Sequence, residues 1–340
     1  MKAILLAGGQ GTRLKAVTGD LPKPLVPLLG RPLAEHILRL LRKHGVTQVC
    51  AALRYRPEDV MQTLGDGSGL GMHISYRVEE RELGTAGAVK NCGDFIGDED
   101  VLVISGDAAC DLDLSELVRR HREKGAAVTL ALHRDASPLR FGLAVTDGDG
   151  AVRAFVEKPS WNRVVTDLVN TGIYILSPRA MEAIPEGQAF DFGKDLFPLL
   201  LKRGALLLGV PLEGYWCDVG TPLSYYRCCV DTLEGRLQLE AGEAFQVKAE
   251  AEKREAPEPG YVLDFPCHDR AALMGRLSRW MLELPTEYED GIRLKDAQFE
   301  LHIRPEARRS ALRIAVNAED AEFAKRLAFS ARDLAKALEE

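Results

Sequence analysis

The sequence predicts an α/β fold, a doubly wound and mainly parallel sheet followed by a small α+β unit. Three observations predict it. A short apolar run, Ala3 to Ala7, stops at glycines as a buried parallel strand would. Apolar runs then alternate with helical spacings through roughly the first two hundred residues. A charged, proline-bearing stretch finally separates that region from a tail with its own pattern.

The elements follow in order. Leu33, Ile37, Leu40 and Leu41 repeat at helical spacing, and Gly45 stops that helix. Gln48 to Leu53 reads as the next strand. Val101 to Ile104 is another buried strand, ending at Ser105-Gly106-Asp107. A helix over Leu114 to Lys124 leads into a strand over Val128 to Leu132. This βαβ alternation is Rossmann-like. Between Phe141 and Leu176, turn residues (Asp147 to Gly150) separate short strands, so an antiparallel excursion on the same domain is expected. Helices near Phe192 to Leu201 and Leu223 to Leu233 finish a first domain, residues 1–235. Residues 236–259 read as a linker, because Glu250 to Gly260 is charged and poor in large apolar residues. In the small domain, residues 260–340, Leu273, Leu277 and Met281 share a helical face. Phe299, Leu301 and Ile303, then Leu312, Ile314 and Val316, alternate as half-buried strands. Phe323, Leu327, Leu334 and Leu338 mark a closing helix.

Bulk properties bound the function. A chain of 340 residues, 46% hydrophobic and 28% charged, suits a soluble two-domain enzyme. Lys and Arg total 44 against 51 Asp and Glu, and this net charge of -7 argues against a nucleic-acid partner. The seven cysteines form no CxxC pair and no zinc-ligand spacing, so they read as reduced thiols. The opening apolar run is too short for a signal peptide, and no stretch is long enough to span a bilayer. A cytoplasmic protein with no membrane partner is expected.

The most informative segment is Leu6-Ala7-Gly8-Gly9-Gln10-Gly11-Thr12-Arg13-Leu14, followed by Leu21-Pro22-Lys23-Pro24. A glycine-rich turn after a buried strand lets backbone N–H groups approach a polyphosphate. Arg13 adds a planar, permanently charged fork suited to phosphate oxygens. Lys23 adds a second positive charge, between prolines that restrict its backbone. Two familiar phosphate loops do not fit. The string GxxxxGK[ST] is absent, and counting GxGxxG from Gly9 through Gly11 puts Leu14 where the last glycine should be. Asp107 ends a buried strand, where open α/β sheets place their ligands. Asp218 lies in a Cys-Asp-Val-Gly turn much later. Converging carboxylates would make a hard oxygen site for Mg²⁺, whereas either one alone reads better as a turn or cap residue.

The string GGQGTRL…LPKPLVPLLGRP resembles the N-terminal signature of the sugar-nucleotide pyrophosphorylases. The resemblance continues, in order, through Glu82-Leu83-Gly84-Thr85-Ala86-Gly87-Ala88, Ser105-Gly106-Asp107, Phe155-Val156-Glu157-Lys158-Pro159, Val169-Asn170-Thr171-Gly172 and Trp216-Cys217-Asp218-Val219-Gly220-Thr221. It covers Met1 to about Gly235, with one departure: many members have proline where Ala16 stands. The resemblance implies a nucleotidyltransferase of the EC 2.7.7 type, joining an NTP to a sugar 1-phosphate and releasing pyrophosphate. It implies a nucleotide site of Leu6, Ala7, Gly8, Gly9, Gly11, Thr12, Arg13, Gly84 and Asp107, with Arg13, Lys23 and Asp107 catalytic. It also implies a sugar-phosphate site of Gly142, Glu157, Lys158, Asn170 and Thr171, and Mg²⁺ on Asp107 and Asp218. Asp111 and Asp113 match a segment that caps the next helix in the family, so they read as structural.

Phe190 to Pro198 and Gly214 to Asp218 look like mannose-1-phosphate guanylyltransferases, which favours GTP and mannose 1-phosphate. The alternatives are a glucose-1-phosphate thymidylyl- or uridylyltransferase, and a non-catalytic nucleotide-sugar-binding regulatory subunit. Intact Arg13, Lys23, Asp107 and Asp218 argue against the last. The tail, over Cys267 to Leu277, Asp290 to Leu294 and Phe299 to Asp320, is similar to the C-terminal domain of phosphomannomutases. Its Arg304 to Ser310 stretch lacks the glycine of their phosphate loop, and the other mutase domains are missing, so mutase activity is not expected. Arg304, Arg308 and Arg309 read as a solvated charge run, with a phosphate-binding role as the alternative. A homo-oligomer built through the tail stays open.

Overall fold

The computed structural model describes residues 1–135, 138–239, 260–280, 286–287, 291–295, 299–306, 310–318 and 320–339. They gather into two compact units. The first comprises Met1–His133, Thr146–Ala154 and Asn170–Val247, and the second Arg134–Val145, Phe155–Val169 and Lys248–Glu340. Two stretches of the antiparallel excursion thus group with the tail.

From the N-terminus the strands are β1 (Lys2–Leu6), β2 (Gln48–Leu53), β3 (His73–Val78), β4 (Val101–Ser105), β5 (Ala108–Cys110), β6 (Val128–Arg134), β7 (Gly142–Thr146), β8 (Val152–Glu157), β9 (Leu168–Leu176), β10 (Leu207–Pro211) and β11 (Trp216–Asp218). The first unit is built on the order β9-β4-β1-β2-β3, with β6 paired to β9 and β10 to β6. Pairs β1–β2, β1–β4, β2–β3 and β6–β10 are parallel. The antiparallel member is β9, whose Ile173 lies opposite Ile104. Ala3 to Leu5 and Val101 to Ile104 are fully buried, as expected of strands covered on both faces.

The longer helices of this unit are α1 (Leu33–Lys43), α2 (Pro57–Leu64), α3 (Gly84–Lys90), α4 (Leu114–Lys124), α5 (Phe197–Lys202) and α6 (Pro222–Leu233). Leu33, Ile37 and Leu41 of α1 are buried, and Gly45 at φ 76° ends it. Asp113 caps α4 by accepting from the backbone N–H groups of Ser115 and Glu116, as its sequence position suggests. A π-turn over Phe192–Leu196, capped by the Asp191 side chain, precedes α5.

In the second unit, β12 (Tyr261–Pro266), β13 (Ile292–Lys295), β14 (Phe299–Pro305) and β15 (Ala311–Ala318) form an antiparallel sheet in the order β12-β15-β14-β13, and Thr286–Glu287 pairs at its edge. Leu301, Ile303, Leu312, Ile314 and Val316 face its core. Helices α7 (Arg270–Trp280) and α8 (Ala321–Glu339) complete the unit. The closing helix differs from expectation in its buried face. Ala324, Ala328, Ala331 and Ala335 are buried, while Phe323, Leu327, Leu334 and Leu338 are only half-buried. Alanine lets the helix axis approach the sheet closely, and the larger side chains flank the contact. Met281, residues 240–259 of the expected linker, and Arg308 and Arg309 lie outside the described residues. Residues 236–239 remain packed: Leu237 is buried beside Leu14, Val26 and Val219, and Leu239 packs against the same cluster. Among the described residues no helix is long and apolar enough to cross a membrane.

Candidate active site

Strand β1 delivers the glycine turn. Its end is tied on both sides, Ala7 N–H to Ala52 O at 2.9 Å and Gly106 N–H to Leu6 O at 2.9 Å. The turn therefore emerges beside Asp107. Gly11 adopts φ 66°, and a Cβ there would lie 3.0 Å from Lys23 Cβ. Glycine is required on both counts, backbone and contact. The short turn Thr12–Leu14 follows, with Leu14 buried as its anchor and Arg13 exposed.

Lys23 is the centre of the site. It opens a 3₁₀ turn in a buried segment, Pro22 to Val26. Its side chain is 9% exposed, and its ammonium donates to Asp107 Oδ2 at 2.6 Å and to Asp218 Oδ1 at 3.0 Å. Burial alone would lower its pKa. The two carboxylates more than compensate and hold it above the usual lysine value, so it stays charged.

Asp218 reaches Asp107 through a small ladder outside the main sheet. Strand β11 pairs antiparallel with β5, Asp218 opposite Ala108, and Val219 N–H donates to Asp107 O at 3.1 Å. Trp216 is buried, and its indole N–H donates to Thr171 O at 3.1 Å. Directly after Asp218, Thr221 and Ser224 form a capping box that starts α6. Asp111 braces the same ladder, accepting from Tyr215 N–H at 2.7 Å and Gln238 N–H at 3.0 Å.

Sequence reasoning missed Gly220. A Cβ there would stand 2.8 Å from Asp218 Oδ2 and 3.2 Å from Arg13 Nη2. Arg13 and Asp218 therefore converge on one bare α-carbon. The available signal was a glycine between an aspartate turn and a proline-started helix. Arg54 was also missed. Its Cβ lies 3.3 Å from a Cβ built on Gly8, and its guanidinium pairs with Glu82 at 3.2 Å.

The remaining site residues fall into separate groups. Gly84 has φ 66°, and a Cβ there would lie 2.7 Å from Phe190 O; at Gly87 one would lie 2.7 Å from Gln188 O. Both glycines thus admit the 188–190 segment. Asn170 donates to Tyr174 Oη at 2.8 Å and accepts from Gly172 N–H at 3.2 Å. Thr171 is buried, and its hydroxyl donates to Ala131 O at 2.8 Å. That hydroxyl braces strands β9 and β6 rather than facing outward. In the second unit, a Cβ on Gly142 would meet Phe155 at 2.5 Å and Glu157 Oε2 at 2.8 Å. Lys158 adopts φ 41°, donates its N–H to Phe141 O at 3.1 Å, and holds its exposed ammonium 4.0 Å from Glu157 Oε1. Arg304 lies on β14 opposite Arg313.

A mainly parallel sheet with a glycine turn at one strand end, and a buried lysine between paired carboxylates beside it, is the architecture of a phosphate-handling α/β protein. The chain belongs to the nucleotidyl transferase family, which matches residues 2–235. It is 37% identical over 240 residues to a UTP–glucose-1-phosphate uridylyltransferase from Synechocystis, covering 67% of this chain and 62% of that one. It is 36% identical over 234 residues to a mannose-1-phosphate guanylyltransferase of Mycobacterium tuberculosis, covering 68% and 65%. The chain thus spans under two thirds of the length of these relatives. Among solved structures, HddC from Yersinia pseudotuberculosis complexed with GMP-PN is 30% identical with a TM-score of 0.59, covering 68% of this chain and 99% of that one. A Bacillus anthracis protein provisionally described as a glucose-1-phosphate thymidylyltransferase, in complex with sucrose, is 27% identical with a TM-score of 0.64, covering 72% and 98%. The family match ends at residue 235, so the tail's likeness to phosphomannomutase rests on sequence alone.

Proposed function

We propose that the protein transfers a nucleotidyl group from an NTP to a sugar 1-phosphate, forming an NDP-sugar and pyrophosphate. The observation that carries this reading is the Lys23 ammonium held between Asp107 and Asp218, beside a glycine turn that presents Arg13. The preferred pair is GTP and mannose 1-phosphate, supported by the guanylyltransferase relatives and by the GMP-PN bound to HddC. The uridylyltransferase relative supports glucose 1-phosphate as the second reading.

The two aspartates fit a divalent cation. Their oxygens touch one ammonium, so they are no farther apart than its two hydrogen bonds allow, and neither carboxylate is sealed from solvent. Hard carboxylate oxygens with room for water and phosphate are the donors Mg²⁺ takes. Bound there, Mg²⁺ would supply neutralisation of the polyphosphate charge.

The chain's own groups do the rest. A phosphate oxygen of the sugar 1-phosphate forms a bond to the α-phosphorus. The bond from that phosphorus to the α–β bridging oxygen breaks, and pyrophosphate leaves with the electron pair. The attacking oxygen is already anionic, so no general base is required. Arg13 would hold the β- and γ-phosphates and stabilise the leaving group. Lys23 would offset charge at the α-phosphate. The backbone from Leu6 to Thr12, with Gly84, would seat the nucleotide. Glu157 would accept from sugar hydroxyls and Lys158 would bind the sugar phosphate, with Gly142 leaving room for Glu157. Asn170 would contribute its amide, and Thr171 would hold the strand beside it.

A matrix of five nucleoside triphosphates against several sugar 1-phosphates, read by Mg²⁺-dependent pyrophosphate release, tests the proposal. Release with GTP and mannose 1-phosphate is expected. Binding of these ligands with no turnover in any pair would replace the enzyme with a sensor.

A further inference from the structure

The mechanism leaves helix α7 without a role, yet α7 is buried on more than one side. Leu273, Met274 and Leu277 are fully buried, and Ala271 and Ser278 nearly so. A helix buried around most of its circumference has more than one partner. One partner is its own sheet and α8. The other, within the same unit, is the turn Trp161–Arg163.

That contact is close. A Cβ on Gly275 would lie 3.0 Å from Trp161 O and 3.5 Å from Val164 O. Arg279, one turn on, donates to Asn162 O at 3.3 Å. Glycine inside a helix is unfavourable relative to alanine, so its place here follows from the approach of the turn. Trp161 is 1% exposed, and its indole N–H has no hydrogen-bond partner among the described residues, so the close fit of the turn against the helix carries the contact.

We propose that α7 is a clamp on the 161–164 turn, and that through this turn the tail positions Lys158 for the sugar 1-phosphate. Only Pro159 and Ser160 separate Lys158 from Trp161, and Pro159 is buried. Lys158 already holds an unusual positive φ, which its neighbours must maintain. Gly275 and Arg279 are therefore positioning residues that touch no substrate. The catalytic half of this inference rests on the function proposed above.

The test uses the full chain with Gly275→Leu, Gly275→Ala and Arg279→Ala. Hydrogen exchange across residues 158–166 should accelerate most in Gly275→Leu, and less in Gly275→Ala and Arg279→Ala. The KM for the sugar 1-phosphate should rise about tenfold in Gly275→Leu, with the KM for the nucleotide unchanged. Gly275→Ala, whose Cβ would already stand 3.0 Å from Trp161 O, should shift the sugar-phosphate KM in the same direction but less. Arg279 is exposed, so Arg279→Ala decides the matter if Gly275→Leu does not fold. Unchanged exchange over 158–166 in the folded variants overturns the clamp. Faster exchange with an unchanged sugar-phosphate KM overturns its role in positioning. Absence of turnover in the unaltered protein would sink the proposed function, while the exchange measurement still judges the clamp.

Discussion

Asp107 and Asp218 accept hydrogen bonds from one ammonium, although one lies in the turn just after a strand of the main sheet and the other belongs to a separate two-stranded ladder. Together, Asp107 before Asp218, they keep Lys23 protonated against the cost of burial. The pair works as a unit, which makes single substitutions informative.

Asp107→Asn should reduce pyrophosphate release by at least about 10²-fold. Lys23 keeps Asp218, so the fold should survive with a loss of about 1–3 kcal/mol. Initial rates across a Mg²⁺ titration, with a urea melt alongside, measure both. Full activity in the variant would remove the metal assignment.

Asp111→Ala should do the reverse. Its carboxylate is spent on the N–H groups of Tyr215 and Gln238. Loss of the brace should cost about 1–3 kcal/mol in a denaturant melt and leave kcat within about a factor of three once the protein is folded. A kcat collapse without a stability loss would promote Asp111 to the site.

Arg13→Lys retains the charge but loses the planar fork. If Arg13 grips two phosphates, kcat should fall about 10²-fold. Steady-state rates at saturating nucleotide check this, and a wild-type kcat would count against the grip.

Gly84→Ala should destabilise the fold by about 2–4 kcal/mol. Its positive φ is strained for alanine, and the new methyl would press on Phe190 O, which is backbone and cannot swing away. Equilibrium unfolding measures the loss, and a neutral result would show that the 188–190 segment yields.

Two buried histidines set a pH dependence. Burial pushes the pKa of His121 below the usual imidazole value, against the pull of Asp100. Burial likewise lowers His36, whose Nε2 lies 2.7 Å from Leu28 O. Groups that ionise less readily when folded bind more protons in the unfolded chain near neutrality. Stability is therefore full above the ordinary imidazole range and lost as pH falls through about 6.5 toward the depressed values. Melting temperature should drop between about pH 7 and 5, and His121→Asn should flatten that slope. An unchanged slope would place the effect elsewhere.

Much of this was legible in the chain. The apolar runs at Ala3 and Val101 and the spacing of Leu33 to Leu41 specify strands and a helix through periods that side-chain burial enforces. The glycine turn was legible because strand, glycines and cation occur together locally. The Lys23 bridge was not. A spacing pattern names charged residues but does not say which pair, and the ladder that brings Asp218 to Asp107 joins distant segments. Gly220 was hidden for a related reason, since part of its need for bareness comes from Arg13, far away in sequence, beside the local contact with Asp218. On α8 the large apolar residues drew attention to the helix, but the buried face is made by Ala324, Ala328, Ala331 and Ala335, whose helical repeat is overshadowed by larger neighbours.

The β5–β11 ladder also dictates when the molecule becomes competent. A nascent chain displays its glycine turn, its lysine and its first acid early in synthesis. The matching acid arrives only once Trp216 to Asp218 have left the ribosome and zipped against β5. Any product truncated before Trp216 would carry a lysine with one counter-charge missing, so synthesis itself enforces an order in which scaffold precedes chemistry.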